Sequence, residues 1–209
     1  MTDQSWLFLA AAGLFAVGDW IAVANGNRAL EYVCKPLTLI MLLGTALALD
    51  PRSDAQRWAF VAALVGSLSG DVLLMIDRFL PGLIAFFFAH VAYIVGLRVG
   101  QVEYRPLLLS ALVVFVAIAF VGRRILAAVR ERAPELGTPV SAYIAVIAVM
   151  VASALASGNP LAATGAVLFM ASDTLIAWNR FVTPLGWAPI TIIVTYHLGQ
   201  TGLVLSLAL

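Results

Sequence analysis

Charged residues are scarce in this chain, and cysteine is almost absent. Only 11% of the 209 residues are Asp, Glu, Lys or Arg, whereas soluble domains carry about 25%. The single cysteine, Cys34, excludes a disulfide within the chain, and we interpret it as a small apolar packing residue. A formal net charge of +1 and the absence of a Lys/Arg-rich run give no support for nucleic-acid binding. We therefore expect a protein that is neither a soluble domain nor a nucleic-acid-binding module.

Motifs of several common enzyme classes are missing as well. The chain has no Gly-x-Ser-x-Gly elbow, no His-Glu-x-x-His or Cys/His spacing for zinc, and no glycine-rich phosphate loop. The N-terminus has no basic segment before its first apolar run, so we expect that run to be a retained helix, not a signal peptide. We predict no metal site and no cofactor.

Long apolar runs are what the chain does contain, since 63% of its residues are hydrophobic. A membrane span needs about 20 mostly apolar residues, and on that measure we predict about eight spans. They cover residues 6–24, 35–49, 56–76, 81–97, 106–122, 139–156, 161–178 and 187–206. The predicted fold class is all-α, a polytopic transmembrane bundle, with a single transmembrane helical domain over residues 1–209.

Lys and Arg are unequally divided between the two sets of connecting loops, eight on one side and four on the other. The richer side is expected to be cytoplasmic, so both termini should face away from the cytoplasm. We expect a multi-pass protein of a bacterial inner (plasma) membrane. The richer side holds Arg28, Lys35, Arg78, Arg123, Arg124, Arg130, Arg132 and Arg180.

The chain also shows signs of an internal duplication. Asp71 precedes Arg78 by seven residues, and Asp173 precedes Arg180 by the same seven. Each copy is followed by a proline and by a further span that contains a histidine. Because each half holds an even number of spans, the copies would be parallel. The sequence thus indicates a 4+4 parallel internal repeat.

Two aspartates, Asp71 and Asp173, lie inside otherwise apolar spans. A charge at membrane depth costs roughly 2.5–3.5 kcal/mol on insertion scales, so a functional role is the default interpretation. Burial favours the neutral form of a carboxyl, and a second carboxylate nearby favours it further. We expect one protonated and one ionised group at neutral pH, the pattern of acid/base pairs that act on ethers and acetals.

Other polar residues fall at a similar predicted depth, where one pocket open toward the cytoplasmic leaflet would gather them. Lys35, at the predicted start of the second span, either pairs with a carboxylate or extends to the interface. Asp19 is either a site residue or an interfacial charge, and Arg180 at a span end is expected to be an interfacial charge. The predicted supporting residues are Lys35, His90, Tyr93, Tyr143, Ser172, Tyr196, His197 and Gln200.

Several of these residues also have a purely structural interpretation, a role in helix packing. A single buried histidine, such as His90 or His197, more often makes an interhelical hydrogen bond than binds a ligand. A small residue such as Ser172 more often lets two helices approach each other. Only the two aspartates clearly favour a functional interpretation.

Six short stretches, in order along the chain, resemble the lysoplasmalogenase family of integral membrane proteins, the YhhN-like group. They are Lys35-Pro36-Leu37-Thr38, Gly70-Asp71-Val72-Leu73-Leu74, Phe87-Phe88-Ala89-His90-Val91-Ala92-Tyr93, Ala142-Tyr143-Ile144-Ala145-Val146-Ile147, Gly165 to Phe169 with Ser172-Asp173, and Tyr196-His197-Leu198-Gly199-Gln200. The last stretch departs from the pattern, because the family more often has a second tyrosine where this chain has His197. That departure argues against a family-wide catalytic role for His197.

The resemblance implies hydrolysis of the vinyl ether bond of lysoplasmalogens, giving a fatty aldehyde and glycerophosphoethanolamine or glycerophosphocholine. Asp71 and Asp173 would jointly supply the general acid and a carboxylate that stabilises the cation. Lys35 would pair with a carboxylate or meet the substrate phosphate. The implied partner is a single-chain ether lipid taken from the bilayer.

Two other functions remain open on the same residues. Buried acids act as proton relays in membrane transporters, so a transporter of lipids or small solutes is one alternative. A metal-dependent membrane lipid hydrolase that uses the histidines and aspartates as ligands is the other. Aldehyde release from an ether lipid tests the first alternative, and the metal content of the purified protein tests the second.

Overall fold

A computed structural model describes residues 1–101 and 105–209 of the chain, and within them every regular element is helical. The eight α-helices are α1 Asp3–Ala24, α2 Arg28–Ala48, α3 Asp54–Met75, α4 Phe79–Arg98, α5 Arg105–Arg132, α6 Gly137–Ala156, α7 Pro160–Ala177 and α8 Ala188–Leu205. Short 3-10 turns occur at Pro134–Leu136 and Ser206–Ala208, and a π-helical turn at Trp178–Val182. The described residues contain no β-strand, which confirms the predicted all-α fold class.

Among the described residues, seven helical segments are long and apolar enough to cross a membrane. The segment of α5 bends by 52° between Val116 and Ile118, and counting it as one span brings the total to eight. The prediction of about eight spans is therefore confirmed, and the chain is a multi-pass membrane protein. The helix α5 extends beyond the predicted end of the fifth span at residue 122 and continues through Arg123, Arg124 and Arg130 to Arg132.

Side-chain caps fix several helix starts. The side chains of Thr2, Asn27, Ser53 and Asn159 each accept a hydrogen bond from a backbone N–H in the first turn of the helix that follows. Such caps satisfy amide groups that the helix itself leaves unpaired.

The cap at Asn27 places the start of α2 at Arg28, whereas the sequence predicted a start at Lys35. That prediction was wrong, because the charged residues Arg28 and Glu31 interrupt the apolar run that was used to locate the span. Pro36 lies inside the helix, not in its first turn. Lys35 is therefore about two turns inside α2.

Helices that follow each other in the chain make the most extensive contacts, α1 with α2, α3 with α4, and α7 with α8. The backbones of α7 and α8 touch, since a Cβ added at Gly165 would lie 2.7 Å from the backbone nitrogen of Leu203. Small residues allow this close approach between membrane helices.

The two halves of the chain meet where α4 packs on α6 and where α8 packs on α1 and α2. If α1–α4 and α5–α8 were repeats of each other, α4 would correspond to α8 and α6 to α2. The α4–α6 contact would then correspond to the α8–α2 contact, and both contacts are present. The 4+4 repeat itself stays a prediction. This arrangement brings α2, α3, α4, α6, α7 and α8 around one common centre.

Candidate active site

Asp71, on α3, is surrounded by partners from two other helices. The Lys35 Nζ atom of α2 lies 3.0 Å from its Oδ1 atom. The Tyr196 hydroxyl of α8 donates a hydrogen bond of 2.6 Å to its Oδ2 atom. Asp71 is 2% exposed, so both oxygen atoms are paired inside the bundle. The adjacent ammonium group supplies a counter-charge, and we therefore interpret Asp71 as the ionised member of the pair.

A chain of buried hydrogen bonds holds Tyr196 in this position. The Tyr93 hydroxyl of α4 donates to Oε1 of Gln200, and Nε2 of Gln200 donates to the Tyr196 hydroxyl oxygen at 3.3 Å. Tyr93 and Gln200 are fully buried, so neither can exchange these partners for bulk water. Satisfied polar networks of this kind rigidify their surroundings. Hydrogen bonds thus link Tyr93, Gln200, Tyr196 and Asp71 in one chain, and Lys35 adds an ion pair to Asp71.

Asp173, on α7, has different partners. Its Oδ2 atom accepts a hydrogen bond of 2.6 Å from the Tyr143 hydroxyl of α6 and lies 3.7 Å from Nε2 of His90 on α4. None of the Lys or Arg side chains described by the structure forms an ion pair with it.

The hydrogen bonding of His90 determines which of its ring nitrogens carries hydrogen. Its Nδ1 atom lies 2.6 Å from the carbonyl oxygen of Phe86, and a carbonyl can only accept, so Nδ1 must donate. In a neutral imidazole, Nε2 then presents a lone pair toward Asp173. The lone pair of Nε2 and the carboxylate repel each other. A proton on Nε2 or on the carboxyl group would relieve this repulsion. At 3.7 Å the two groups are too far apart for a hydrogen bond, and Nε2 has no other hydrogen-bond partner among the described residues.

An apolar cavity of about 570 Å³ adjoins Asp173 and Tyr143. Drug-sized ligands occupy cavities of about 300–1,000 Å³. Asp173 is the only ionisable carboxyl among the described residues that line it, and Asp71 is not part of the lining. The two aspartates thus differ in surroundings, one ion-paired and enclosed, the other facing an apolar cavity. The walls include Leu83, Ile118, Val121, Ile144, Ile147 and Met170.

His197 does not join the two aspartates. Its Nδ1 atom accepts a hydrogen bond of 3.2 Å from Nε1 of Trp20, so Nε2 carries the hydrogen in the neutral ring. That Nε2 atom lies 3.8 Å from Oδ2 of Asp19 on α1. Asp19 is fully buried within the bundle. His197 and Asp19 form a second polar cluster between α8 and α1.

Ser172 also serves helix packing. Its hydroxyl donates a hydrogen bond of 3.0 Å to the backbone carbonyl of Ile192 on α8. This contact matches the packing role that small residues have between membrane helices. The structure thus places Ser172 beside Asp173 in the chain but turns its hydroxyl away toward α8.

Two residues that organise this region were not singled out from the sequence. The Phe169 ring packs edge-on against His90, with centroids 4.8 Å apart, and against Tyr196, with centroids 5.3 Å apart. Trp20 determines the tautomer of His197. The only signal for Phe169 was its place in one of the family-like stretches, and nothing in the sequence distinguished Trp20 from the four other tryptophans.

Among the described residues, no three His, Cys, Asp or Glu side chains lie close enough together to hold a metal ion. The two histidines are separated in the site, since His90 faces Asp173 and His197 faces Asp19. The metal-dependent alternative therefore has no ligand set in this part of the chain.

The sequence matches the YhhN family over residues 30–207, a region that contains all the predicted site residues but neither Asp19 nor Trp20. Lysoplasmalogenase TMEM86B of Homo sapiens is 31% identical over 173 residues, covering 82% of this chain and 73% of the human one. The Sus scrofa protein of the same name is 34% identical over 176 residues, 84% of this chain and 73% of its own. A lysoplasmalogenase of Mycobacterium bovis is 32% identical over 194 residues, 85% of this chain and 73% of its own. No solved structure matches the chain.

Proposed function

Since this chain belongs to the YhhN family, we propose that it is a membrane-embedded hydrolase that cleaves the vinyl ether bond of lysoplasmalogens. The products are a fatty aldehyde and a glycerophospho-base such as glycerophosphoethanolamine. Relatives from mammals and mycobacteria that carry the name lysoplasmalogenase support this reaction. The observation that carries the proposal is the contrast between an ion-paired Asp71 and an Asp173 that faces an apolar cavity beside His90.

The first step requires a general acid, and Asp173 is placed to supply it. Hydrolysis of a vinyl ether begins when a proton is added to the alkene carbon farther from oxygen, which leaves an oxocarbenium ion at the carbon bearing oxygen. Asp173 lines the cavity that an alkenyl chain would fill, and Nε2 of His90 lies 3.7 Å from its carboxyl group. The Tyr143 hydroxyl fixes the orientation of the carboxyl group.

The second step requires a negative charge that stabilises the cation, and we assign this role to Asp71, which does not line the cavity and therefore acts through its charge and not by contact. Its ion pair with Lys35 and its hydrogen bond from Tyr196 hold the carboxylate in a fixed position before the reaction begins. Preorganised charge of this kind lowers the barrier because nothing must reorient when the cation forms.

Water then completes the reaction with all atoms balanced. The water oxygen bonds to the cationic carbon, and one water proton passes to Asp173, which restores the acid. The resulting hemiacetal breaks its bond to the glycerol oxygen, and that oxygen takes the hemiacetal hydroxyl proton. One water molecule is consumed, and the aldehyde and the glycerophospho-base are released.

The test is aldehyde release by the purified protein from lysoplasmenylethanolamine in neutral detergent. The saturated 1-alkyl analogue is the matched control, because it lacks the alkene carbon that accepts the proton. We expect aldehyde from the vinyl ether only, and loss of that activity in Asp173→Asn. Absence of aldehyde from the folded wild-type protein, or unchanged release by Asp173→Asn, would show that this proposal is wrong.

A further inference from the structure

Arg180 does not itself line the cavity that contains Asp173 but stacks on two rings that do, and we call this position the rim of the cavity. Its guanidinium carbon lies 4.0 Å from the centre of the Phe79 ring and 5.7 Å from that of Phe181. Both phenylalanines line the cavity. The Arg180 side chain is exposed, and none of the ion pairs among the described residues includes it. A cation without a carboxylate partner therefore stands where an amphiphile would have its head group.

The segment that carries Arg180 is a π-helical turn, Trp178–Val182, and it is fixed from two sides. Nη1 of Arg132 donates hydrogen bonds of 2.8 Å to the carbonyl oxygens of both Phe181 and Val182. The Asn179 side chain accepts a hydrogen bond of 2.7 Å from the backbone of Leu185. Single π-turns within helices are frequent at functional sites. The rim position of Arg180 is thus held by the fold.

We propose that Arg180 binds the phosphate of the single-chain ether lipid whose vinyl ether lies at Asp173. This inference rests on the proposed function and adds to it the residue that recognises the head group. A guanidinium group matches the geometry of phosphate oxygens, with which it forms paired, charge-assisted hydrogen bonds.

The spacing along α7 fits such a ligand. Arg180 follows Asp173 by seven residues, a rise of about 10 Å along a helix axis. Three glycerol carbons separate the ether oxygen of the lipid from its phosphate, and the long arginine side chain covers the remaining distance. Met170 also lines the cavity and precedes Asp173 by three residues on α7, so it lies on the side of Asp173 away from Arg180, and Ile147 of α6 lines the same cavity. The alkenyl chain would lie against them, so the lipid keeps the orientation that it has in a bilayer leaflet.

The test compares two ligands that differ only in the phosphate-bearing head group. Aldehyde release is measured with lysoplasmenylethanolamine and with 1-alkenylglycerol, in neutral detergent without anionic lipid, so that no bilayer phosphate competes. For Arg180→Gln we expect kcat/KM to fall by at least about tenfold with the phosphorylated substrate and to stay unchanged with 1-alkenylglycerol. Arg180→Lys should show a smaller loss, because a point charge remains but the paired geometry does not.

The matched control is Arg130→Gln, since Arg130 is an exposed arginine on the same predicted membrane side and, unlike Arg180, stacks on no cavity-lining ring among the described residues. It should behave as wild type with both substrates. An equal loss with both substrates in Arg180→Gln would reduce Arg180 to a support of the turn, and no loss with either would make it an interfacial charge. Either result overturns the inference.

A binding measurement separates this inference from the proposed function. Affinity for the saturated 1-alkyl-glycerophosphoethanolamine and for 1-alkylglycerol is measured by calorimetry, which needs no turnover. Suppose that the wild-type protein releases no aldehyde but Arg180→Gln weakens binding of the phosphorylated ligand and not of 1-alkylglycerol. The phosphate site is then supported, and the proposed reaction is wrong. If binding of both ligands is the same in Arg180→Gln as in wild type, the phosphate site falls whatever the activity.

Discussion

The Nζ atom of Lys35 lies 3.0 Å from Oδ1 of Asp71, an ion pair that joins α2 to α3 inside the bundle. The Lys35 side chain is 15% exposed and that of Asp71 2%, so water screens the pair little. Because the two charges depend on each other, removal of one leaves the other buried and uncompensated.

Lys35→Met is therefore expected to abolish turnover and to destabilise the fold by about 3–5 kcal/mol. Lys35→Arg should recover little activity, because the guanidinium fork differs from a point charge. The double variant Lys35→Met/Asp71→Asn is the control, since it removes both charges. We expect it to regain most of the thermal stability but no activity. Near-normal turnover in Lys35→Met would reduce Lys35 to an interfacial anchor.

The two aspartates should be equally indispensable but for different reasons. Asp173→Asn removes the proton donor and Asp71→Asn removes the stabilising charge, and each should lower turnover on the order of 10²–10⁴-fold. The double variant should be little worse than the poorer single variant, because residues that act as a unit are not additive. A folded single variant that keeps more than about a tenth of wild-type turnover would make that aspartate structural and the two-acid mechanism wrong.

The two tyrosine hydroxyls provide a matched pair of deletions, since each donates a 2.6 Å hydrogen bond to one aspartate. Tyr196→Phe leaves a buried carboxylate and Gln200 each without one partner, so it should lower both thermal stability and turnover. Tyr143→Phe should lower turnover with less effect on stability, because Asp173 borders the cavity. A hydrogen bond to a charged group contributes about 1.5–3 kcal/mol to the free energy of unfolding. Thermal melts of the two variants in the same detergent test this difference. Equal melting temperatures would contradict the different surroundings assigned to Asp71 and Asp173.

The sequence predicted the helical class and located both aspartates within apolar helices, because these features depend on local composition; their catalytic role stays a prediction. It could not place the start of α2, because Arg28 and Glu31 belong to the helix although they interrupt the apolar run. Nor could it separate the partners of His90 from those of His197, since helix packing in three dimensions decides which side chain each ring faces. The pairing of Lys35 with Asp71 was one of two open alternatives, and only the crossing of α2 with α3 decides between them.

The membrane orientation stays a prediction, and with it the expected location in a bacterial inner membrane. Eight Lys and Arg residues on one set of loops against four on the other place both termini on the non-cytoplasmic side. The cavity rim with Arg180 then faces the cytoplasmic leaflet. Reporter fusions after Leu209 and within residues 123–132 test this, and cytoplasmic activity at Leu209 would reverse the orientation.

The cluster of Asp19, Trp20 and His197 gives the last prediction. Asp19 is fully buried, and neither of its carboxyl oxygens has a hydrogen-bond partner among the described residues. An unsatisfied buried carboxyl is costly, so Asp19→Asn should leave the melting temperature unchanged or raise it. His197→Phe keeps an aromatic ring at this position and removes the polar contacts of His197 with Trp20 and Asp19 on α1. Its turnover should stay within about threefold of wild type, below the smallest effect expected of a general acid or base. Aldehyde release by His197→Phe is compared with that by Tyr196→Phe. If His197→Phe loses as much activity as Tyr196→Phe, His197 belongs to the catalytic site.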